Sequence, residues 1–141
     1  MHDPKCPFCN VAPQLFIKET QHSILLINLL QVAKTDALLV VPKKHVKNIL
    51  DLSSEEYSDF CTLIRESYQT LANHQRDKFN ILINEGLLAN QNIPHLHAHI
   101  FTRTEKDGIK NMTRNNRKNI LTQRKPEKTQ KFLTTIKGYF S

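Results

Sequence analysis

The segment His95-Leu96-His97-Ala98-His99-Ile100-Phe101 constrains this chain more than any other. Three histidines recur at every second position, with Leu96, Ala98 and Ile100 between them. A β-strand sends alternate side chains to opposite faces, so a strand here gathers three imidazoles on one face and three apolar groups on the other. A helix would scatter the same histidines around its surface. Imidazole changes charge near neutral pH, attacks electrophiles and ligates metals. The spacing therefore points to a catalytic or metal-binding row. The competing reading is a strand that happens to carry three histidines.

Other segments agree with the first reading. Asn84-Glu85-Gly86 lies ahead of the histidines, Gln91 stands four residues before His95, and Leu39-Val40-Val41-Pro42-Lys43-Lys44-His45 is an apolar run that ends in a basic turn. Together with the alternating histidines these features resemble the histidine triad superfamily, from Cys6 to about Arg103. The resemblance implies an α+β histidine triad fold, a mostly antiparallel sheet with one long helix, and a homodimer formed through strands and that helix. It implies a hydrolase that cleaves the α-phosphorus bond of nucleoside phosphoramidates or similar purine nucleotide conjugates of AMP or GMP. By resemblance His97 attacks phosphorus and carries the nucleotide covalently, with His99 and His95 beside it. Asn84, Gly86, Gln91 and Asn92 surround the phosphate, and Asn28 meets the ribose. Relatives commonly carry an acidic residue where Asn28 stands, and Ser or Thr where Asn92 stands. The alternatives are a dinucleoside polyphosphate hydrolase and a nucleotide-binding regulatory protein without turnover.

Cys6-Pro7-Phe8-Cys9 is a C-x-x-C pair, and Pro7 fixes φ in a tight turn that helps two thiols face one point. Two thiolates with two imidazoles make a closed tetrahedral zinc site. Zinc-binding bacterial relatives use two N-terminal cysteines, a histidine after the central strand and the first triad histidine. The resemblance thus implies Cys6, Cys9, His45 and His95 as ligands of a structural Zn²⁺. The rivals are a metal-free site with His95 simply hydrogen-bonded and a redox C-x-x-C, though the redox motif usually opens a helix after a strand, and here it precedes the first expected strand.

The chain has 141 residues, room for one core. No apolar run is long enough to span a bilayer, and no secretory signal pattern opens the chain, so a cytoplasmic protein without membrane contact is expected. The net charge of +7 is unevenly placed. Through Phe101, 9 Lys and Arg oppose 10 Asp and Glu, a balance of −1; from Thr102 onward, 11 oppose 3, a balance of +8. We divide the chain into a histidine triad domain over 1–104 and a basic extension over 105–141. Such an extension can attract nucleic acid, but a solubilising role is the simpler expectation.

Along the chain, 14–18 and 23–28 read as a hairpin, 29–36 as a loop, and 37–41 as a buried central strand ended by Pro42. A short helical turn is expected over 45–50. Ser53 and Glu56 form a capping box for a helix to about Gln75, with Tyr57, Phe60, Cys61, Ile64, Tyr68 and Leu71 as its core stripe and Cys61 an inert buried thiol. Strands follow over 79–84 and 95–101, and His74 is expected to be solvated. Phe132, Leu133, Ile136, Tyr139 and Phe140 suit a short amphipathic helix that docks on the body or on a second subunit.

Overall fold

The computed structural model describes residues 2–28, 30–32, 37–107, 121–123 and 126–141. Strands β1 (Phe16–Glu19), β2 (Ser23–Ile27), β3 (Leu30–Val32) and β4 (Ala37–Pro42) precede helix α1 (Ser54–Asn73); β5 (Phe79–Ile83), β6 (Ala98–Thr102) and β7 (Leu121–Gln123) follow, and helix α2 (Pro126–Tyr139) closes the order. Five strands form an antiparallel sheet in the order β1-β2-β4-β6-β5, and β3 pairs with β7 in a separate two-stranded ribbon. This is the expected α+β fold with one long helix.

Strand register divides the sheet into two unlike faces. Leu25 and Ile27 lie beside Val40 and Leu38, and Leu38 lies beside Ile100. These residues meet Phe60, Leu63 and Leu71 of α1 and Phe132, Leu133 and Ile136 of α2 in one buried cluster. The opposite face carries Leu26, Leu39 and Val41, with Phe8, Val11, Phe16 and Ile24 packed around them. His99 sits opposite Leu39, so it belongs to this second face. The six residues of β4 are all buried because both faces of the strand are covered.

Helix α1 starts as its sequence dictates. The Ser53 side chain accepts from the Glu56 amide, and the Glu56 carboxylate accepts from the Ser53 amide, an arrangement contributing about 1 kcal/mol. It stops at a left-handed Gln75, φ 62°, with the Arg76 amide donating to Leu71 O and the Gln75 amide to Ala72 O. The core stripe is displaced from the one expected. Phe60, Leu63, Ser67 and Leu71 are buried, whereas Cys61 is exposed, as are Tyr57 and Tyr68. Ser67 hides this register from the sequence: its hydroxyl donates to Leu63 O and needs no water.

The histidine strand is shorter than the alternation predicts, beginning at Ala98 and not at His95. The preceding backbone groups bond elsewhere. The Leu96 amide donates to Val46 O, the His95 amide to Ile93 O, and the His95 carbonyl accepts from its neighbour's ring. Within the expected loop 29–36, residues 30–32 form β3; 33–36 lie outside the described residues. The first hairpin starts later than expected, because Pro13–Leu15 forms a 3-10 turn before β1. His74 is exposed, yet its ring stacks on Tyr139 at 3.8 Å. The C-terminal amphipathic segment docks on the body of its own chain, through the three core residues of α2.

Candidate functional site

The cysteine turn is built first. Asn10 holds it, its side-chain amide donating to Cys6 O at 2.8 Å and to Asp3 O at 3.1 Å, while the Cys9 amide donates to Cys6 O. The turn thereby sets Cys6 Sγ 3.3 Å from His95 Nδ1, and Cys9 Sγ 3.4 Å from His45 Nδ1 and 3.7 Å from His95 Nδ1. One donor atom from each of Cys6, Cys9, His45 and His95 lies within 4.8 Å of the other three. Tetrahedral zinc–sulfur and zinc–nitrogen bonds put ligand S and N atoms about 3.6 Å apart, so the spacings fit a metal ion. His45 follows the central strand, and its ring lies 4.9 Å from that of His95.

His95 is oriented for this cluster. The ring is fully buried, and Nε2 lies 2.9 Å from Pro42 O. A carbonyl only accepts, so Nε2 carries the proton and Nδ1 turns its lone pair toward the sulfurs. Such backbone anchoring of the second nitrogen orients a histidine ligand. Burial holds the ring below the usual imidazole range, partly opposed by the Pro42 hydrogen bond and reinforced by His45 and His97. Burial likewise pushes the Cys6 thiol up. The cluster could hold a metal ion, which would favour the thiolates that burial disfavours.

His97 has the opposite arrangement. Its Nδ1 lies 2.7 Å from His95 O, so Nδ1 carries a proton, and the neutral tautomer that this bond selects has its lone pair on Nε2. The ring is 6 % exposed. His99 meets it at 4.9 Å and 72°, and Phe101 stacks parallel to His99 at 5.4 Å. The structure thus brings all three histidines together, although only His99 lies within the paired strand.

The other sequence-identified residues fall around this row. Strand β5 ends at Ile83, opposite Ala98, so Asn84 follows at the level of His97. Gly86 adopts φ 87° and a side chain there would meet nothing within 4 Å; backbone conformation, not space, demands glycine. Gln91 is buried, its Oε1 accepting from the Gly86 amide and its Nε2 donating to Lys47 O, both at 2.8 Å. Its amide thus ties the loop together. Asn92 is exposed. Asn28 is buried just past the end of β2, its backbone N–H donating to Ala37 O, on the same face as Leu26.

Sequence reasoning missed Phe8. Its ring stands edge-on to His95 at 5.8 Å and to His97 at 5.0 Å, joining the cysteine turn to the histidine row. Its only signal was its place inside the C-x-x-C. The Pro42 and Val46 carbonyls, which anchor His95 and Leu96, have no side-chain signal at all.

The HIT domain matches residues 10–106 of this chain. An uncharacterised HIT-like protein of Methanocaldococcus jannaschii is 30% identical over 107 residues, covering 73% of this chain and 82% of the relative. The adenosine 5'-monophosphoramidase of Schizosaccharomyces pombe is 27% identical over 106 residues, covering 72% of this chain and 77% of its own. The bis(5'-adenosyl)-triphosphatase of Saccharomyces cerevisiae is 28% identical over 100 residues, 70% of this chain and 48% of that protein. Among solved structures, a Zn-bound histidine triad family protein from Mycobacterium smegmatis shares the fold with a TM-score of 0.68 at 21% identity, covering 96% of this chain and 95% of that one. The homology is to nucleotide hydrolases, amidases and dinucleoside polyphosphatases alike, and it supports hydrolase or transferase activity in general. The domain match spans most of the sheet, α1 and all three histidines, and this chain belongs to the HIT family.

Proposed function

We propose that this chain hydrolyses nucleoside phosphoramidates or similar purine nucleotide conjugates at the α-phosphorus, through a nucleotidyl-His97 intermediate. The observation that carries this reading is the 2.7 Å contact between His97 Nδ1 and His95 O. It selects the tautomer whose Nε2 lone pair can attack phosphorus. As the Nε2–P bond forms, the P–N bond to the leaving amine breaks with its electron pair, and the amine nitrogen takes up a proton. Water then adds to phosphorus, the P–Nε2 bond breaks back onto the ring, and one proton of that water passes to solvent. His99, beside His97, donates to a phosphate oxygen, and His95 acts through the carbonyl that fixes its neighbour. Phosphoryl transfer depends mainly on positioning and charge stabilisation. Asn84, Asn92 and the Gly86 turn held by Gln91 are the groups we assign to the phosphate, and Asn28 to the ribose.

We assign Zn²⁺ to Cys6, Cys9, His45 and His95, as in zinc-binding bacterial relatives. Four protein ligands leave no open position, so the metal's contribution is a structural cross-link. A reducing compartment such as the cytoplasm keeps both thiols available to it.

A homodimer also belongs to this reading. Strand β5 is an edge of the sheet, with Ile81 and Ile83 exposed, and Tyr57 and Tyr68 are exposed on α1. Tyr68 meets Phe79 of β5 at 4.4 Å, which joins that part of α1 to the strand edge. An open apolar edge is a pairing surface. Sedimentation of wild type and Ile81→Lys should separate dimer from monomer; a monomeric wild type sinks the assignment.

The test of the reaction is turnover of adenosine phosphoramidate and of diadenosine polyphosphate by wild type and His97→Ala. Turnover of the phosphoramidate, lost in the variant, supports the reading. Preference for the diadenosine substrate assigns the chain to the polyphosphate hydrolases, and AMP binding without turnover makes it a regulatory binder.

A further inference from the structure

Leu87 and Leu88 form the most exposed apolar pair among the described residues, at 86% and 105% of full exposure, and Leu50 nearby is 93% exposed. Single exposed leucines are ordinary, but an apolar group rimmed by polar residues marks a contact surface. The turn that carries them is firmly built. Gly86 and Asn90 bracket it in left-handed conformations, φ 87° and 64°. The Ala89 and Gln91 amides both donate to Gly86 O, and the Asn90 amide donates to Leu87 O. The Gln91 side chain ties the turn to Lys47, and Glu85 Oε1 accepts from the Ile49 amide at 2.7 Å, bringing the Leu50 segment alongside. Side chains on such a turn are preorganised for whatever they touch.

The sheet order says what that is. On the reading that His97 attacks the α-phosphorus, phosphorus sits over the start of β6. The nucleoside runs across β4 and β2 toward Asn28, on one flank of β6. Strand β5 is on the other flank, and its exit leads within four residues from Ile83 to Leu87. The group displaced from phosphorus has the β2 side closed to it by the nucleoside and the β5 exit turn open to it. We infer that Leu87 and Leu88 are the contact surface for the leaving group, and that the preferred conjugates carry an apolar amine. This inference rests on the proposed reaction at His97.

The test compares two adenosine phosphoramidates whose amines match in basicity, one bearing an arylalkyl group and the other a hydroxyalkyl group, with unsubstituted adenosine phosphoramidate as reference. Matched basicity equalises the chemistry, so a difference in kcat/KM reports contact alone. Covering the exposed area of one to two leucines corresponds to a preference of about tenfold for the arylalkyl substrate. In the doubly substituted Leu87→Ser, Leu88→Ser protein the ratio should fall close to one. Neither side chain is in the core, and circular dichroism verifies the variant's fold. A wild-type ratio near one, or a ratio that survives both substitutions while unsubstituted phosphoramidate is turned over, overturns this inference and leaves the proposed reaction standing. No turnover of any of the three by the wild type overturns both.

Discussion

The cysteine pocket and the histidine face adjoin, yet they use the same side chain in opposite senses. In the pocket, His95 gives its Nε2 proton to Pro42 O and turns Nδ1 toward two sulfurs. On the face, His97 gives its Nδ1 proton to His95 O and has its lone pair on Nε2. In each ring one nitrogen is fixed as the donor, and both hydrogen bonds end on backbone carbonyls. What differs is the surroundings. His95 is sealed among Cys6, Cys9 and His45, a donor set complete in itself. His97 faces another imidazole and an aromatic ring. A closed donor set suits a structural ion, and a ring outside that set suits group transfer. The backbone selects the tautomer, and the tautomer selects the role.

Substitutions that strike one region and spare the other test this contrast. The largest effect should come from His97→Gln, whose amide can still donate to His95 O but has no nucleophilic nitrogen. Turnover should drop by about a thousandfold or more, with metal content by elemental analysis unchanged. Loss of metal in that variant would mean the two regions are not separable. Next, Cys6→Ser should release the metal and lower Tm by roughly 10 °C, since a structural ion contributes its binding energy to folding; calorimetry with and without chelator measures it. Phe8→Ala strikes both regions at once, because its ring touches both histidines. Removing this half-buried ring should cost about 2 kcal/mol and weaken metal affinity and turnover together by about tenfold. A variant that alters only one of the two would deny Phe8 its bridging position.

The smallest effect is a pH dependence of the metal-free protein. Burial holds the folded-state His95 below its ordinary range. As pH falls through about 6.5, the unfolded chain takes up a proton there that the folded chain refuses, so stability decreases on the acid side and is unaffected above it. Tm measured in chelator from roughly pH 8 to roughly pH 5 should show this slope, and His95→Gln should lessen it. An unchanged slope in the variant would assign the acid sensitivity to other groups.

Much was legible where a local period or cap carries the signal. Alternation at 95–101 marked the histidine face, the run at 37–41 marked a strand covered on both sides, and Ser53 with Glu56 marked the start of α1. The four metal-binding candidates came from the resemblance to zinc-binding relatives, and their donors do converge. The misses have separate causes. Cys61 is apolar at helical spacing and Ser67 is polar, yet Ser67 is the buried one, because its hydroxyl donates to Leu63 O within its own helix. Strand β3 was invisible because its partner, β7, lies some ninety residues away in the chain.

By itself, then, the sequence determined the kinds of element, the two-faced character of the sheet and the identity of the chemical groups, since these follow from periodicity and side-chain type. The tertiary structure decided which nitrogen of each imidazole carries the proton, where the histidine strand begins, and that Phe8 stands between two regions. Those outcomes depend on backbone carbonyls of Pro42 and His95 and on the Val46 carbonyl that accepts from Leu96. A carbonyl is the same group in every residue, so only folding tells which one a ring will meet.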